Sequence, residues 1–548
     1  MLKLITSKWL LLLLVLGGGF ALSIDGNRLL KISQSMENFA QTYRIINYQY
    51  VDETDPNQLM RTAIDSMLGH LDPYTNYFSE AEMVRVKIGA KGGWDGIGVE
   101  LQEMDGKIVV QEVVEDTPAE KNKLQVGDVL LEIDGTSIAN QPLESVSQTL
   151  HGKAGTKVKV KMWRAATEET LNLEIERAKV TKKNVPYFGM LNEQTGYIVL
   201  TTFSQQAGAN VEAALRTLQE DHNPTQIILD LRSNGGGFLI EAVNICNLFV
   251  DKGNEIVYTR NKVAKWDRSF STLNTVVDKN IPLVVLMNGS SASASEIVAG
   301  ALQDLDRAVL AGRNSFGKGL VQNTKDIGYS SIVKLTTAKY YIPSGRCVQA
   351  LDYQNGRPVG IADSLRKEFS TKVGRKVYDG RGLEPDYKIE APEVPIVLAA
   401  LEAKHLVFNF ATQYYNQHDS IVKAKEFELT EADYQAFVKQ AMPVWLSYPT
   451  TTEKAIDELE AKAKKEGSIK ELKTAIDKAR ATLLADKKKA FEMHKVLIKH
   501  TLEEEIVGRY YYMTGQVENR LARDNDVLEA LKLFGDKDKF KQLLAPKK

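Results

Sequence analysis

Residues 190–320 alternate between short apolar strands and amphipathic helices, and this alternation limits the possible fold more than any other feature. Four runs predict buried strands: GYIVLTTF, TQIILDL, IPLVVLMN and RAVLAG. Helical patterns separate them at 208–220, 238–250 and 294–305. Strands that alternate with helices in this way are typical of an α/β layered fold with a mainly parallel sheet.

The rest of the 548-residue chain, too long for one ordinary domain, has other textures. Short strands punctuated by glycine between 88 and 178 predict a small β-rich module. Residues 24–87 carry two helical patterns, and residues 393–548 are rich in Lys, Glu, Ala and Leu, which predicts a helical domain. The α/β core then extends from 179 to 392, with the β-rich module inserted before it.

The last segment, residues 393–548, is called the tail below, and its function is unknown from the sequence. Ser468 and Glu471 have the spacing of a capping box before an apolar helix face. The charge run Lys487–Lys489 is expected to lie on a solvated helix surface. The tail is expected either to mediate self-association or to recruit an adaptor protein.

The first 23 residues have the pattern of an export signal. Lys3 and Lys8 precede an apolar run from Trp9 to about Leu22 that ends among small residues. The run of about 14 residues is short for a membrane-spanning helix, which needs about 20. A cleaved signal peptide is therefore favoured over an uncleaved anchor in the inner membrane. In either case we expect the protein to act in the periplasm or cell envelope.

Charge and cysteine content exclude several classes of function. The 70 Lys and Arg residues nearly balance the 71 Asp and Glu residues, so nucleic acid is not an expected partner. Cys246 and Cys347 are too few for a disulfide framework, and Cys246 lies in an apolar run as a buried hydrophobic residue would. Because the sequence has no His/Cys cluster with ligand spacing, neither a metal nor a cofactor is expected.

The motif Gly96-Ile97-Gly98-Val99 opens a strand of the β-rich module. Glycines at such a position let backbone N–H groups turn toward an anion, and a neighbouring free strand edge can accept an extended peptide. On its own, the motif is explained equally well by a tight turn.

A serine-rich stretch, SSASASEIVAGALQD, joins a predicted strand to a predicted helix. Ser293 and Glu296 have the spacing of a capping box, which is a sufficient structural explanation. The same position exposes the hydroxyl of Ser293 where helix N–H groups point, and this suits a nucleophile beside an oxyanion site. Upstream, the three glycines of LDLRSNGGGF permit either a strand-to-helix turn or an anion cradle.

A serine nucleophile needs a base, and no histidine is a good candidate. Only His222 lies in the predicted core, in a polar loop where it reads as a surface residue. Lys318 lies between two glycines with apolar neighbours, and Ser–Lys pairs are a known variant of the catalytic triad. Such a lysine must be neutral, so burial has to lower its pKa from about 10.4 toward about 7. An isolated lysine of this kind is more often a solvated loop residue.

Taken together, SASASEIVAGALQD, GKGLVQ, LDLRSNGGG and the module with GIGV and TPAEKNKLQVGDVLLEIDG resemble the C-terminal processing (tail-specific) proteases. The resemblance covers more than half of the chain in the family's order. It implies that residues 88–178 form a PDZ domain, whose groove binds polypeptide C-termini with the carboxylate at Gly96–Gly98. It also implies that residues 179–392 form a Ser–Lys protease core.

The resemblance further implies a role for individual residues. Ser293 corresponds to the nucleophile, Lys318 to the general base and Gln322 to the glutamine that orients the lysine. The backbone N–H groups of Gly236 and Ala294 correspond to the oxyanion donors. Since Gln322 follows the lysine by four residues, we expect the chain to bend near Gly319. One departure is a glycine, at 235, where the family often has proline.

Two other classes of function are open at this stage. One is a non-catalytic peptide-binding scaffold on a protease-like fold, against which the intact Ser293, Lys318 and Gln322 argue. The other is a small-ligand carrier or acyl-transfer enzyme with the same layered fold, against which the PDZ-like module and the glycine-flanked lysine argue. The sequence therefore predicts a serine endopeptidase of the cell envelope.

Overall fold

The computed structural model describes residues 26–79, 82, 93–165, 167–329 and 331–546. The expected export signal, 1–23, lies outside these residues. Among the described residues, no helix is both long enough and apolar enough to cross a membrane. The structure divides into two units, which are residues 1–77 with 354–357 and residues 78–353 with 358–548.

The first unit contains the two helices predicted near the N-terminus, α1 (Gly26–Gln49) and α2 (Pro56–Gly69). Asp55 caps α2, because its carboxylate accepts hydrogen bonds from two N–H groups of the first turn. The Tyr43 hydroxyl donates to the carbonyl of Pro56 at 2.8 Å and ties α1 to the start of α2. A short strand, β1 (Asn76–Phe78), follows.

The β-rich module is an antiparallel sheet with two short helices. Its elements are β2 (Gly93–Gly96), β3 (Val99–Met104), β4 (Lys107–Val113), α3 (Pro118–Lys121), β5 (Val129–Ile133), β6 (Thr136–Ser137), α4 (Leu143–Leu150), β7 (Lys157–Arg164), β8 (Glu169–Glu176) and β9 (Ala178–Thr181). The strand order is β3-β4-β5-β7-β8, with β6 beside β5 and a separate β2–β9 pair. Its core is built from alternate residues of the strands together with Val146 and Leu150 of α4. β3 is an edge strand, as a peptide-binding groove requires.

The protease-like core contains the remaining strands. Its elements are β10 (Tyr187–Met190), β11 (Thr195–Val199), α5 (Ala207–His222), β12 (Gln226–Asp230), α6 (Leu239–Phe249), β13 (Glu255–Asn261), β14 (Arg268–Ser271), β15 (Leu283–Met287), α7 (Ala294–Asp304), β16 (Val309–Gly312), β17 (Leu320–Gly328), β18 (Ser331–Tyr341), β19 (Leu351–Gln354), β20 (Arg357–Gly360), β21 (Glu368–Ser370), β22 (Lys376–Tyr378) and β23 (Tyr387–Lys388). The central sheet has the order β10-β11-β12-β15-β16-β23. Only β10 is antiparallel to its neighbour, so the predicted α/β layered fold with a mainly parallel sheet is confirmed.

One face of the central sheet packs against α5, α6 and α7, as the alternating sequence pattern predicts. Cys246 of α6 is fully buried in this layer, which confirms that it serves as a small hydrophobic residue. A second, antiparallel sheet is formed by β17, β18, β13 and β14. His222, at the end of α5, is exposed, as expected.

The tail is helical, as predicted. Its helices are α8 (Ile396–Ala403), α9 (Leu406–Gln417), α10 (Glu431–Ser447), α11 (Thr451–Glu466), α12 (Ile469–Met493), α13 (Lys495–Leu521), α14 (Asn525–Gly535) and α15 (Lys537–Leu544). Helices α8, α9, α10, α12 and α13 share an apolar core of their own. Self-association and adaptor binding by the tail stay predictions.

The C-terminal helices also cover the second face of the central sheet. Val517 and Leu521 of α13 and Val527, Leu533 and Phe534 of α14 pack against residues of β11, β12, β15 and β16 that point away from the first layer. Parallel sheets are buried on both faces, and here the tail supplies the second cover. The tail is therefore part of the α/β core rather than an appendage.

One expectation for the tail was wrong, and another holds for Lys488 and Lys489, which are exposed, but not for Lys487. Ser468 makes no capping hydrogen bond; instead Gly467, with φ of +80°, ends α11. Of the lysines at 487–489, Lys487 is buried, and its ammonium donates to both oxygens of Glu453 at 2.8 and 2.9 Å. A lysine inside a charge run can thus face the core when one carboxylate and neighbouring carbonyls receive it.

Candidate active site

Three loops leave the carboxyl ends of three adjacent parallel strands, and each carries predicted site residues. They are the glycine loop (231–238) after β12, the serine loop (288–293) after β15 and the lysine loop (313–319) after β16. Because parallel strands end at the same edge of a sheet, the three loops are neighbours there, where ligand sites of α/β folds usually lie. The structure thus brings Gly236, Ser293 and Lys318 to one edge.

Ser293 has a strained backbone at the junction between the serine loop and α7. Its φ is +57° and its ψ is −112°, values that a non-glycine residue rarely adopts. Strain of this kind costs about 1–3 kcal/mol and persists only where the surroundings enforce it. A sharp strand-to-helix turn of this type exposes the nucleophilic serine in α/β-hydrolases. The side chain of Ser293 is half-buried.

The neighbouring serines have structural hydrogen bonds instead. Ser291 donates from its hydroxyl to the carbonyl of Leu231, and Ser295 donates to the carbonyl of Asn234, both at 2.8 Å. Each of these serines is 1% exposed. They fix the serine loop and the first turn of α7 to the glycine loop.

A buried glutamate, Glu296, joins the serine loop to the lysine loop. Its Oε2 accepts from the backbone N–H of Ser293 at 2.8 Å and of Lys318 at 2.9 Å. Its Oε1 accepts from the Ser315 hydroxyl at 2.5 Å and from the Gly317 N–H at 2.7 Å. The capping-box spacing predicted only the first of these four bonds.

The surroundings of Glu296 consist of donors, and only an ionised carboxylate satisfies all four of them. Burial raises the pKa of Glu296, although the Ser315 hydroxyl and the three N–H groups act in the opposite direction. The carboxylate is therefore held in its charged form at a cost in desolvation. Because the buried charge of Glu296 costs desolvation energy, its contribution is to align the serine loop with the lysine loop rather than to stabilise the fold.

A second group that the sequence did not reveal connects the same two loops. Tyr340, on β18 and 1% exposed, donates from its hydroxyl toward the carbonyl oxygens of Ser293 and Lys318, at 3.1 and 2.5 Å. Nothing in the run TTAKYYI sets this tyrosine apart from any buried strand residue. The backbones of Ser293 and Lys318 are thus fixed by shared partners on both their N–H and their C=O sides.

Gln322 lies on β17, four residues after Lys318. The pairing of β17 with β18 shifts register between Val321 and Gln322, two residues beyond Gly319, where we expected a bend. The Gln322 amide donates to the Thr336 hydroxyl at 3.1 Å. Lys318 itself is half-buried.

The glycine loop passes directly beside Ser293. A Cβ added to Gly236, whose φ is +98°, would lie 2.8 Å from the Cβ of Ser293 and 2.9 Å from the nitrogen of Ala294. Only glycine fits this approach. The Gly236 N–H donates to Oδ1 of Asn234 at 2.9 Å, whereas the Ala294 N–H belongs to the first turn of α7, which has no intrahelical acceptor.

The second predicted site, at the edge of the β-rich module, is built around Gly98. The carbonyls of Ile97 and Gly98 accept from Ala119 at 2.7 Å and from Val114 at 2.9 Å, which fixes the loop. The φ of Gly98 is +93°, and an added Cβ would lie 2.3 Å from the Cβ of Thr117. This glycine is therefore required by space as well as by conformation.

A narrow cleft lies between β3 and α4, next to this loop. It is lined by Trp94, Ile97, Gly98, Val99, Leu101, Ser147, Leu150 and His151, and its volume is about 20 Å³. Such a cleft holds about one water molecule. An apolar side chain of a peptide would enter only if α4 or the Trp94–His151 ring pair moved. Burial at this position also lowers the pKa of His151.

Four sequence profiles match the chain, one after another. They are the Activating protease CtpB N-terminal domain at 23–82, the PDZ domain at 96–175, Peptidase family S41 at 194–355 and the Probable PDZ-protease, C-terminal helical domain at 397–534. The matched ranges fall on the helical N-terminal segment, the β-rich module, the α/β core and the tail.

Curated relatives agree with these profiles. A carboxy-terminal-processing protease of Bartonella bacilliformis is 35% identical over 338 residues, which are 60% of this chain and 76% of the relative. A probable CtpA-like serine protease of Staphylococcus haemolyticus is 31% identical over 66% of each chain. The photosystem II D1 C-terminal processing protease is a solved structure with 27% identity and a TM-score of 0.37, covering 67% of this chain and 96% of its own. The chain therefore belongs to Peptidase family S41, among the carboxy-terminal-processing proteases that carry a PDZ domain.

Proposed function

We propose that this protein is a serine endopeptidase with a Ser293–Lys318 dyad, which selects polypeptides by their C-termini through its PDZ domain. The observation that carries the proposal is the bridge at Glu296, where one carboxylate oxygen binds the backbone N–H groups of both Ser293 and Lys318. Nucleophile and base thus have a fixed spacing. Residues brought together only to cap a helix would not need the second bond.

The reaction runs through an acyl-enzyme. The Ser293 hydroxyl attacks the scissile carbonyl while the Lys318 amine takes its proton, and a C–O bond forms. The ammonium of Lys318 then protonates the departing amine as the C–N bond breaks. Water attacks the ester with Lys318 again as the base, which releases the new carboxyl end and restores Ser293. Gln322 orients Lys318 during these transfers.

The tetrahedral oxyanion needs N–H donors, which we assign to Gly236 and Ala294. The Ala294 donor lies in the first turn of α7, next to the nucleophile. The Gly236 donor binds Asn234 in this structure, so the peptide between Gly235 and Gly236 has to rotate before it can serve. Consecutive glycines make such a rotation easy, and an added Cβ at Gly235 would meet no atom within 4 Å.

The PDZ domain gives the selectivity. In the proposal, the C-terminal carboxylate binds at the loop from Gly96 to Val99, and the last residues of the substrate add a strand to the free edge of β3. Opening of the narrow cleft between β3 and α4 accompanies binding. Export by residues 1–23 places this activity in the periplasm or envelope, whether or not the segment is kept as an anchor.

Cleavage of an unfolded reporter with an apolar C-terminus tests the dyad. Ser293→Ala and Lys318→Ala should abolish cleavage while the variants stay folded by circular dichroism, and Ser290→Ala, which changes an exposed hydroxyl of the same loop, should cleave like wild type. A reporter that ends in two aspartates should be cleaved more slowly. If Ser293→Ala still cleaves, the dyad is wrong. If all variants and the wild type are inert, the peptide-binding scaffold gains support.

The location has its own test. Cells that express the full chain are separated into cytoplasmic, periplasmic and membrane fractions, and the mass of the protein is measured. Recovery in the periplasm with a shortened N-terminus indicates a cleaved signal, and recovery at full mass in the membrane indicates an anchor. Full-length protein in the cytoplasm would contradict export.

A further inference from the structure

An ion-pair network links the tail to the glycine loop. Asp524 accepts from both terminal nitrogens of the Arg232 guanidinium, at 2.8 Å each. The same guanidinium binds Asp230 at the end of β12 through Nε and Nη2, at distances of 2.6–3.0 Å. Arg232 is the second residue of the glycine loop, so the tail directly holds the start of the loop that contains Gly236.

The network continues to the lysine loop. Asp526, only 4% exposed, accepts from Nη1 of Arg232 at 3.0 Å. Its two oxygens also receive the terminal nitrogens of Arg313 at 2.9–3.1 Å. Arg313 is the first residue of the lysine loop and precedes Lys318 by five residues. We call Asp524 and Asp526 the aspartate bridge.

The two arginines stand on either side of the serine loop. Arg232 follows β12 and Arg313 follows β16, while β15, which leads into the serine loop, lies between these strands. The aspartate bridge therefore spans the outer two of the three loops. It acts on the side of the site away from Glu296, which binds the serine and lysine loops from within.

A network of buried ion pairs is a poor way to stabilise a domain contact, since the loss of hydration largely cancels the attraction between the charges. Bidentate pairs between arginine and carboxylate do fix distance and angle. The apolar contacts of α14 with the sheet already dock the tail, through residues such as Leu533 and Phe534. The ion pairs thus fix the positions of the two loops relative to α14 rather than strengthening the docking of the tail on the sheet.

We propose that Asp524 and Asp526 of the tail are positioning residues for catalysis, which set the glycine loop against the lysine loop through Arg232 and Arg313. The inference rests on the proposed dyad and gives the tail a role in it. The oxyanion donor and the base are then held at the spacing the transition state needs only when α14 is in place. Neither aspartate touches the substrate.

Steady-state kinetics on the unfolded reporter with an apolar C-terminus test the role of the aspartate bridge. Asp526→Asn should lower kcat by about 10- to 100-fold with KM changed by less than about threefold, because loops displaced by less than 1 Å lose rate rather than binding. Asp526→Glu, which keeps the charge, should recover part of the loss. Arg313→Gln combined with Asp526→Asn should lose no more than Asp526→Asn alone, since Arg313 enters this network through Asp526.

Leu533→Ala is the matched control, because it weakens the docking of α14 without touching either arginine. At a temperature where both variants are folded, this variant should keep the wild-type kcat. The proposal is overturned if Asp526→Asn keeps the wild-type kcat. It is also overturned if Leu533→Ala, with the same Tm as Asp526→Asn, lowers kcat as much as Asp526→Asn does. Ser293→Ala is measured alongside: if it is inactive while Asp526→Asn is fully active, only the bridge is wrong. If Ser293→Ala is active, the dyad fails and the bridge with it.

Discussion

Replacement of Glu296 by glutamine is the sharpest test of how the site is held together. The amide keeps the size of the side chain but has one acceptor and one donor end, whereas the carboxylate receives four donors. In its best orientation the amide oxygen keeps the N–H groups of Ser293 and Lys318. The Ser315 hydroxyl can turn to accept from the new NH₂ group, and the Gly317 N–H is left without an acceptor.

The change in stability is small because two effects oppose each other. An unsatisfied buried N–H costs about 1–3 kcal/mol, and two hydrogen bonds that lose their charge weaken by about 1 kcal/mol each. Removal of the buried charge of Glu296 returns several kcal/mol of desolvation. The free energy of unfolding should therefore change by less than about 2 kcal/mol, and Tm by less than about 8 °C.

The effect on the reaction is larger, because the lost contact lies one residue before Lys318. A displacement of the lysine loop by 1 Å can cost about 100-fold in rate, and we expect a fall in kcat of that order with KM almost unchanged. The assay is steady-state cleavage of the unfolded reporter, with Tm measured on the same samples by calorimetry.

Glu453→Gln is the matched control, since Glu453 completes the same kind of capping box at the start of α11. Its Oε2 accepts from the Thr450 N–H at 2.8 Å, as Glu296 does from Ser293. The hydrogen bond and charge of Lys487 hold the pKa of Glu453 below its usual value despite the burial that opposes them. Glu453→Gln should thus reduce stability and leave kcat intact. If Glu296→Gln instead behaves like Glu453→Gln, with kcat within about threefold of wild type, our account of the site is refuted.

Three further outcomes follow from the structure. Burial raises the pKa of Glu296 above its usual 4.5, so wild-type kcat should fall as the pH drops through that raised value. The stability that this group contributes is full below pH 4.5 and is lost as the pH rises through the raised value. Between pH 4 and 8, kcat should therefore increase with pH while the free energy of unfolding measured in urea decreases. Gly98→Ala should lower the free energy of unfolding by about 1–3 kcal/mol, because φ of +93° and contact with Thr117 exclude a Cβ. Calorimetric titration of this variant should also show weaker binding of an apolar C-terminal peptide. Ser295→Ala removes one of two donors to the buried carbonyl of Asn234, which keeps the N–H of Ala292 at 3.0 Å, so denaturation should show a loss of about 0.5–1.5 kcal/mol, with kcat reduced far less than in the Ser293→Ala variant.

The fold was predictable where local patterns decide it. The strands β11, β12, β15 and β16 and the helices α5 to α7 follow from apolar runs separated by amphipathic periods, and the β-rich module follows from its glycines and turns. The cover on the second sheet face was not predictable, because Leu533 and Phe534 look like core residues of any helical domain. Pairing between segments about 300 residues apart leaves no local periodicity to detect.

The candidate site divides in the same way. Motifs pointed to Ser293, Lys318 and Gly236, and the structure brings their loops to one edge. Glu296 was visible only as a helix cap, since its bonds to the lysine loop depend on how β15 and β16 pair. Tyr340 has no motif at all, and its contacts exist only because β18 passes beneath both loops.

The cover of the central sheet by α13 and α14 has a consequence in time. A chain is synthesised from its N-terminus, so residue 293 is made about 220 residues before the helix segment at 517–534. Until that segment arrives, an apolar face of the parallel sheet faces water, and the loops of the site lack their outer support. The order of residues along the chain therefore leaves the central sheet covered on one face only until α13 and α14 have been made.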